Sequence, residues 1–222
     1  MPDSGQTIAS APAGHAAAGD VTRRDLLTLV QAAGTGLFAA AAAWALVDSM
    51  NPAADVIAAG APIDIDVTKV AAGQQIVVLW RGAPILVVNR PGDALKTLQN
   101  PDLVGRLSDP NSDAHQQPTY ARNWHRSIKP EFAVLVGICT HLGCLPNYRP
   151  KPDPSSPAPN WPGGYFCPCH GSKYDLAGRV WSGVPAPYNL PVPPYHFLND
   201  RTLRIGENPT GQSFELSSVL QM

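Results

Sequence analysis

The chain has 222 residues, a formal net charge of −1 and only 15% charged residues. That length suggests one domain with an appendage, and a near-neutral chain without a basic run lacks the electrostatic footprint of a nucleic-acid binder. Four cysteines are too few for a disulfide scaffold of this size and point to one local site, while 24 prolines, concentrated from residue 84 onward, favour a β-rich, loop-rich body over a helical bundle.

Residues 1–20 are rich in Ala, Gly, Ser and Pro without apolar periodicity, and read as a disordered tail. "TRRDLL" (Thr22–Leu27) follows, and Leu26–Val47 is a run of 22 residues without a charge. As a helix it would be about 33 Å long, enough to cross a hydrocarbon core of about 30 Å. A cleaved signal peptide is the other reading, since "AAAWA" offers small residues, but the apolar part of such a peptide is usually about 7–15 residues. Arg23 and Arg24 precede the run and the next basic residue is Lys69, which keeps the N-terminus in the cytoplasm and sends the body outward. The twin arginines also resemble the export signal of prefolded proteins, which a cofactor inserted in the cytoplasm would require. Val47–Pro62 is rich in small residues and reads either as a flexible hinge or as a passive spacer.

From Pro62 the period becomes two. "PIDIDV" sets Ile63, Ile65 and Val67 against Asp64, Asp66 and Thr68, the pattern of a half-buried strand. "QQIVVLW" and "PILVVNR" are β-branched runs joined at "RGA", a predicted hairpin. Residues 93–129 are more polar, with helical signals around Ala94–Leu107, and are expected to lie on the sheet as an insertion. "EFAVLVGI" reads as a fully buried strand delivering Cys139 at its end. "YHF" and "TLRIG" flank the turn residues "LNDR" as a second hairpin. The body is therefore expected to be antiparallel β, a small sandwich or barrel.

All four cysteines and two of the six histidines lie in "CTHLGC" (139–144) and "CPCHGS" (167–172). Six ligands are too many for one tetrahedral ion. Each stretch holds a Cys and a His near enough for one metal centre, Cys139 with His141 and Cys167 with His170, and a spare cysteine, Cys144 or Cys169. A structural zinc site would leave two thiols free. Pairing the spares outside the cytoplasm would leave two cysteines and two histidines, the ligands of a two-iron, two-sulfur centre with histidines on one iron. Spacing alone leaves open whether Cys139 or Cys144 is the ligand.

"CTHLGC" and "CPCHGSKYD" resemble the two boxes of a Rieske iron–sulfur protein of the quinol–cytochrome c reductase (cytochrome bc) family, proteobacterial type. The similarity runs through "GRVWSGVPAPYNLPVPPYHF", "TRRDLL" with its helix, "MNPAADVIA" and the insertion "QQPTYARNWHRSIKPE". Residues 1–20 and the loop 148–163 lie outside it. The resemblance implies a mainly β fold, a Rieske-type antiparallel β-sandwich head with a small cluster-binding subdomain at about residues 137–188, plus one N-terminal transmembrane helix. It implies one Rieske-type 2Fe-2S cluster per chain, with Cys139 and Cys167 on the inner iron, His141 and His170 on the outer iron, and a Cys144–Cys169 disulfide tying the loops. Ser172 and Tyr174 occupy positions of donors that tune the cluster. Leu142, Gly143, Pro185 and Pro187 occupy the docking loops, although Gly183-Val184-Pro185 departs from relatives in which Gly runs directly to Pro. His15, His115, His125 and His196 receive no metal role.

The implied function is that of the electron-transfer subunit of a membrane quinol–cytochrome c oxidoreductase and translocase. It takes one electron, with a proton on a ligand histidine, from hydroquinone and passes the electron to a c-type cytochrome. Neutral imidazoles in place of thiolates make the cluster less negative, which accounts for Rieske potentials of about −150 to +300 mV against about −400 mV for plant-type ferredoxins. The implied partners are cytochrome b and a c-type cytochrome in a dimeric complex of the bacterial inner membrane. The expected segments are a cytoplasmic tail (1–25), a single membrane span (26–47), a hinge (48–62) and a periplasmic head (63–222). A Rieske subunit of another periplasmic enzyme, such as arsenite oxidase, is the alternative. A structural zinc module would be the non-redox reading.

Overall fold

The structure is a computed structural model that describes residues 22–220 apart from positions 54, 55, 57 and 59. His15, most of the expected tail and part of the expected hinge lie outside the described residues. The chain divides into two units, Met1–Pro52 and Ala53–Met222.

Among the described residues, the first unit holds one helix, α1 (Arg23–Asp48). It begins three residues before the uncharged run because "TRRD" is a capping box: the Asp25 amide donates to Thr22 Oγ1 and the Asp25 carboxylate accepts from the Thr22 amide. Leu37, Phe38 and Trp44 are all more than 70% exposed, and no residue of the helix is buried within the chain. Thr28 and Thr35 donate their hydroxyl protons to the carbonyls of Arg24 and Gln31, so these polar groups are satisfied inside the helix. The helix is long and apolar enough to cross a membrane.

The second unit contains three antiparallel sheets of three strands. One orders β1 (Ile63–Asp66), β9 (Thr202–Ile205) and β8 (Tyr195–Phe197). Another orders β2 (Gln75–Trp80), β3 (Ala83–Asn89) and β4 (Phe132–Val136). Their apolar faces share one core, in which Ile65, Leu203, Ile205 and Tyr195 meet Ile85, Val87, Val134 and Val136. The β2–β3 turn is made by Arg81 and Gly82, both at positive φ (51° and 74°), the backbone a two-residue hairpin demands. At the end of β2 the Trp80 ring is buried, and its Nε1 donates to the Ala61 carbonyl at 3.1 Å. Arg81 Nε donates to the Gly60 carbonyl at 3.4 Å and stacks over the Trp80 ring. Gly206 makes room for that ring, since a Cβ there would stand 2.7 Å from Trp80 Nε1.

The third sheet orders β5 (Asn147–Arg149), β6 (Gly164–Phe166) and β7 (Lys173–Tyr174) and carries the second cysteine stretch. The helical signal around 94–107 resolves into α2 (Gly92–Leu98) and α3 (Pro101–Val104), separated because Pro101 cannot extend α2 and Asn100 caps α3. These helices do not lie on the predicted sheet. Leu98, Leu103 and Leu107 pack instead on Trp161, Leu176 and Trp181, the apolar surface around the third sheet.

Arg90, Arg126 and Arg179 are each buried, and all three hold the turn at Asp175–Arg179. Arg90 donates to the Leu176 carbonyl (3.3 Å), Arg126 to that of Ala177 (3.0 Å), and Arg179 Nε to the Asp175 carboxylate (2.7 Å). Arg179 also reaches the Leu98 carbonyl at 2.7 Å, which pins α2 to the same turn. Burial lowers Arg126 to about 9 and Arg90 to about 10, both still above neutrality.

Candidate metal centre

Both cysteine stretches leave a strand and close by the same hydrogen bonds. In the first, the Cys139 amide donates to the Cys144 carbonyl (2.8 Å) and the Gly143 amide to the Cys139 carbonyl (2.9 Å). In the second, the Cys167 amide donates to the Ser172 carbonyl (2.8 Å) and the Gly171 amide to the Cys167 carbonyl (3.0 Å). Gly143 and Gly171 sit at φ +82° and +80°, where a side chain would be strained, so each closure needs glycine four residues after its first cysteine. That shared C-x-x-x-G spacing was available in the sequence. The entry to the first loop is equally constrained. Gly137 follows β4, and a Cβ there would press on Leu86 Cδ2 at 2.8 Å.

The two loops are joined by a disulfide between Cys144 and Cys169. Cys139 and Cys167 are free and buried, 1% and 2% exposed. The His141 and His170 rings stand edge to face with centroids 4.7 Å apart, His141 half-buried and His170 exposed. The Sγ atoms of Cys144, Cys167 and Cys169 lie within 4.8 Å of one another, but sulfurs bonded in a disulfide have no thiolate charge to offer a metal. The remaining donors are two buried soft sulfurs and two imidazoles nearer the surface. They fit a two-iron group with cysteine on the inner iron and histidine on the outer one.

The surroundings fit such a group as well. The Tyr174 hydroxyl is 3.2 Å from Cys139 Sγ and accepts the Thr140 amide N–H at 3.2 Å. Thr140, fully buried, gives its own hydroxyl proton to the Tyr188 carbonyl at 2.7 Å. Burial first, then the hydrogen bond to Cys139, raises the pKa of Tyr174 and keeps its hydroxyl protonated. Burial also pushes the Cys167 thiol up, against amide N–H bonds from Cys169 and His170 that favour the thiolate.

Ser172 Oγ accepts the Ala186 amide N–H at 3.1 Å, which seats the loop Gly183–Tyr188 and leaves the serine proton free to donate. Next to His141, Leu142 is 71% exposed and Gly143 faces solvent, as do Pro185 and Pro187 in the loop seated on Ser172. A cavity of about 470 Å³ lies elsewhere, lined by Gly73, Asp93, Thr97, Tyr148 and Lys151, and none of the candidate ligands borders it. Thr140 and the three buried arginines escaped the sequence reading. The first is one residue of a motif read only for its ligands, and the others carry charges that normally mark a surface.

The family model described as "Rieske [2Fe-2S] domain" matches residues 117–194. A second, "Ubiquitinol-cytochrome C reductase Fe-S subunit TAT signal", matches residues 13–53. The ubiquinol-cytochrome c reductase iron-sulfur subunit of Allochromatium vinosum is 50% identical over 173 residues, covering 77% of this chain and 83% of the relative. Its counterpart in Blastochloris viridis is 45% identical over 190 residues, covering 84% and 94%. Among solved structures, a chain of "Hyperthermophilic respiratory Complex III" is similar at a TM-score of 0.44 and 26% identity, covering 79% of this chain and 98% of that one.

Proposed function

The chain belongs to the family of ubiquinol–cytochrome c reductase iron–sulfur subunits, and from that premise we propose how its own residues carry out the electron transfer. It is a membrane-anchored Rieske subunit of a cytochrome bc-type oxidoreductase, and a subunit of another periplasmic enzyme is not favoured. The observation that carries the site reading is the pairing of two free, buried thiols with two histidine rings 4.7 Å apart at the ends of disulfide-linked loops.

Cys139 and Cys167 would hold one iron of a [2Fe-2S] group, and His141 and His170 the other. When bound, the [2Fe-2S] group supplies a one-electron acceptor that becomes more negative on reduction. An added negative charge raises the affinity of a neighbouring imidazole for a proton. His170, the more exposed ring, presents a nitrogen to a hydroquinone hydroxyl, accepts its hydrogen bond and then its proton. The same ring would later release that proton outside the membrane. Leu142, Gly143, Pro185 and Pro187 form an apolar rim that excludes water and docks against cytochrome b, where the quinol is held. Tyr174 donates to the Cys139 sulfur, and Ser172 has a proton to give in the same region; both favour the reduced state.

Residues 1–25 remain cytoplasmic, 26–47 span the inner membrane and 63–222 form the periplasmic head, in a complex that is dimeric. Residues 48–62 act as a hinge, because one carrier must serve a quinol near the membrane and a haem farther out. The test is metal analysis and EPR spectroscopy of the reduced full chain, followed by substitution. The Rieske-type signal should disappear in His141→Ala and in His170→Ala, and the chain should co-purify with cytochromes b and c. A zinc-loaded, EPR-silent protein, or a Rieske signal that survives either substitution, would refute the assignment.

A further inference from the structure

We propose that, in a chain without its metal group, the Cys167 sulfur exchanges into the Cys144–Cys169 disulfide, so that the bridge which braces a loaded site closes an empty one to iron. This rests on the reading of Cys167 as a ligand. The motive is a sulfur triad whose closeness the ligand role of Cys167 alone does not require: the Sγ atoms of Cys144, Cys167 and Cys169 lie within 4.8 Å of one another, two in a disulfide and the third a free thiol. Thiol–disulfide exchange needs a thiolate in reach of a disulfide sulfur, and the loop that closes on Ser172 holds Cys167 in that reach.

The step balances without any outside oxidant. The Cys167 thiolate attacks the Cys144 sulfur, the Cys144–Cys169 bond breaks, and Cys169 leaves as a thiolate that takes up the proton Cys167 gave away. Attack on Cys169 is disfavoured, because only Pro168 separates it from Cys167 and their union would close a small, proline-stiffened ring. Departure of Cys169 is favoured by its position, since it is exposed and a solvated thiolate leaves more readily. The product bonds Cys144 to Cys167, removes one ligand from the site and places a free thiol on the surface. Iron bound to Cys167 would withdraw charge from its sulfur and hold it in the ligand position, which would suppress the step. The metal group must therefore be in place before the Cys144–Cys169 bridge closes. That order agrees with the match of residues 13–53 to an export signal of the twin-arginine type, which carries folded chains.

The experiment starts from the loaded full chain, its iron content measured first, so that absence of iron would count against the function and not against this exchange. Iron is withdrawn with a chelator in the absence of oxygen and thiol reductant. The folded chain is then sampled over hours, the timescale of disulfide reshuffling, by alkylation and peptide mass mapping. In more than about half of the molecules the Cys144–Cys169 peptide pair should give way to Cys144–Cys167, with Cys169 becoming alkylated. Iron and sulfide should then restore the centre only after dithiol reduction. Cys167→Ser should keep the original bridge and show no alkylated Cys169. Persistence of Cys144–Cys169 in chelated, folded wild-type chain would overturn the proposal, as would opening of the bridge at the same rate in Cys167→Ser.

Discussion

Tyr174→Phe isolates one hydroxyl at the metal centre. That hydroxyl lies 3.2 Å from Cys139 Sγ and also 3.2 Å from Thr140 Oγ1. Because Thr140 gives its own proton to the Tyr188 carbonyl, its oxygen can accept, and the single tyrosine proton has two destinations. If it goes to the sulfur, its bond strengthens as the sulfur gains charge. A hydrogen bond to a charged group is worth about 1.5–3 kcal/mol against about 0.5–1.5 for a neutral one, so the differential is about 1 kcal/mol. With about 59 mV per tenfold for one electron, the midpoint should fall by roughly 40–60 mV. The variant also strips the buried Thr140 amide of its acceptor, at about 1–3 kcal/mol of stability. A redox titration of the loaded full chain, followed by EPR and paired with a thermal melt, reads both effects. A lower melting temperature with an unchanged midpoint would show that the proton sits on Thr140 and would refute the tuning role of Tyr174. Ser172→Ala is the companion variant, expected to lower the midpoint and to loosen the loop held through Ala186.

Asp175→Asn leaves Arg179 without its buried carboxylate beside two further buried arginines, and should destabilise the head by about 3–5 kcal/mol in denaturant melts. A cost below about 1 kcal/mol would mean that the guanidiniums do not depend on that charge. His125 is pushed down to about 4, first by burial and then by Arg90. The unfolded chain therefore binds the extra proton, and the neutral ring's contribution, complete above about 6.5, should be lost as pH falls from there towards 4. His125→Gln should flatten the pH dependence of the melting temperature in that window, and an unchanged slope would contradict the assignment. Proline at Ala58 and Ala59 should slow turnover of the assembled complex without altering the EPR signal, and turnover at the unmodified rate would reduce 48–62 to a spacer.

What the sequence made legible depended on how each structure announces itself. β1 to β4 and the β8–β9 hairpin were readable because alternation or a β-branched run ends at a recognisable turn, as at Arg81-Gly82. The ligand candidates were readable because all cysteines fall in two short stretches. β5, β6 and β7 were not. They are two or three residues long, too short for any period, and a proline-rich loop separates the first two. Missing that sheet displaced the helical half of the insertion, because Trp161 and Trp181, which draw Leu98, Leu103 and Leu107, had no visible home, whereas Tyr120, Ala121 and Ile128 do pack on the main core. Arg90, Arg126 and Arg179 were hidden for another reason. A guanidinium is buried here because backbone carbonyls of distant segments converge on it, and no local pattern encodes that convergence.

The Trp80–Ala61 and Arg81–Gly60 bonds hold the chain at Gly60 and Ala61, and α1 ends at Asp48. Residues 49–59 lie between them in sequence, and eleven residues span at most about 35–40 Å. If the head moves as proposed, so short a connection would present it to its partners at an effective concentration on the order of millimolar, whatever its abundance in the membrane. Tight docking is then a handicap. A partner that held the head with a dissociation constant far below that local concentration would keep it, and the next electron would wait. On that reading the two docking affinities would both need to be weak and closely matched. Loosening Trp80 would lengthen the tether, dilute the head and tilt that balance towards whichever partner binds more tightly.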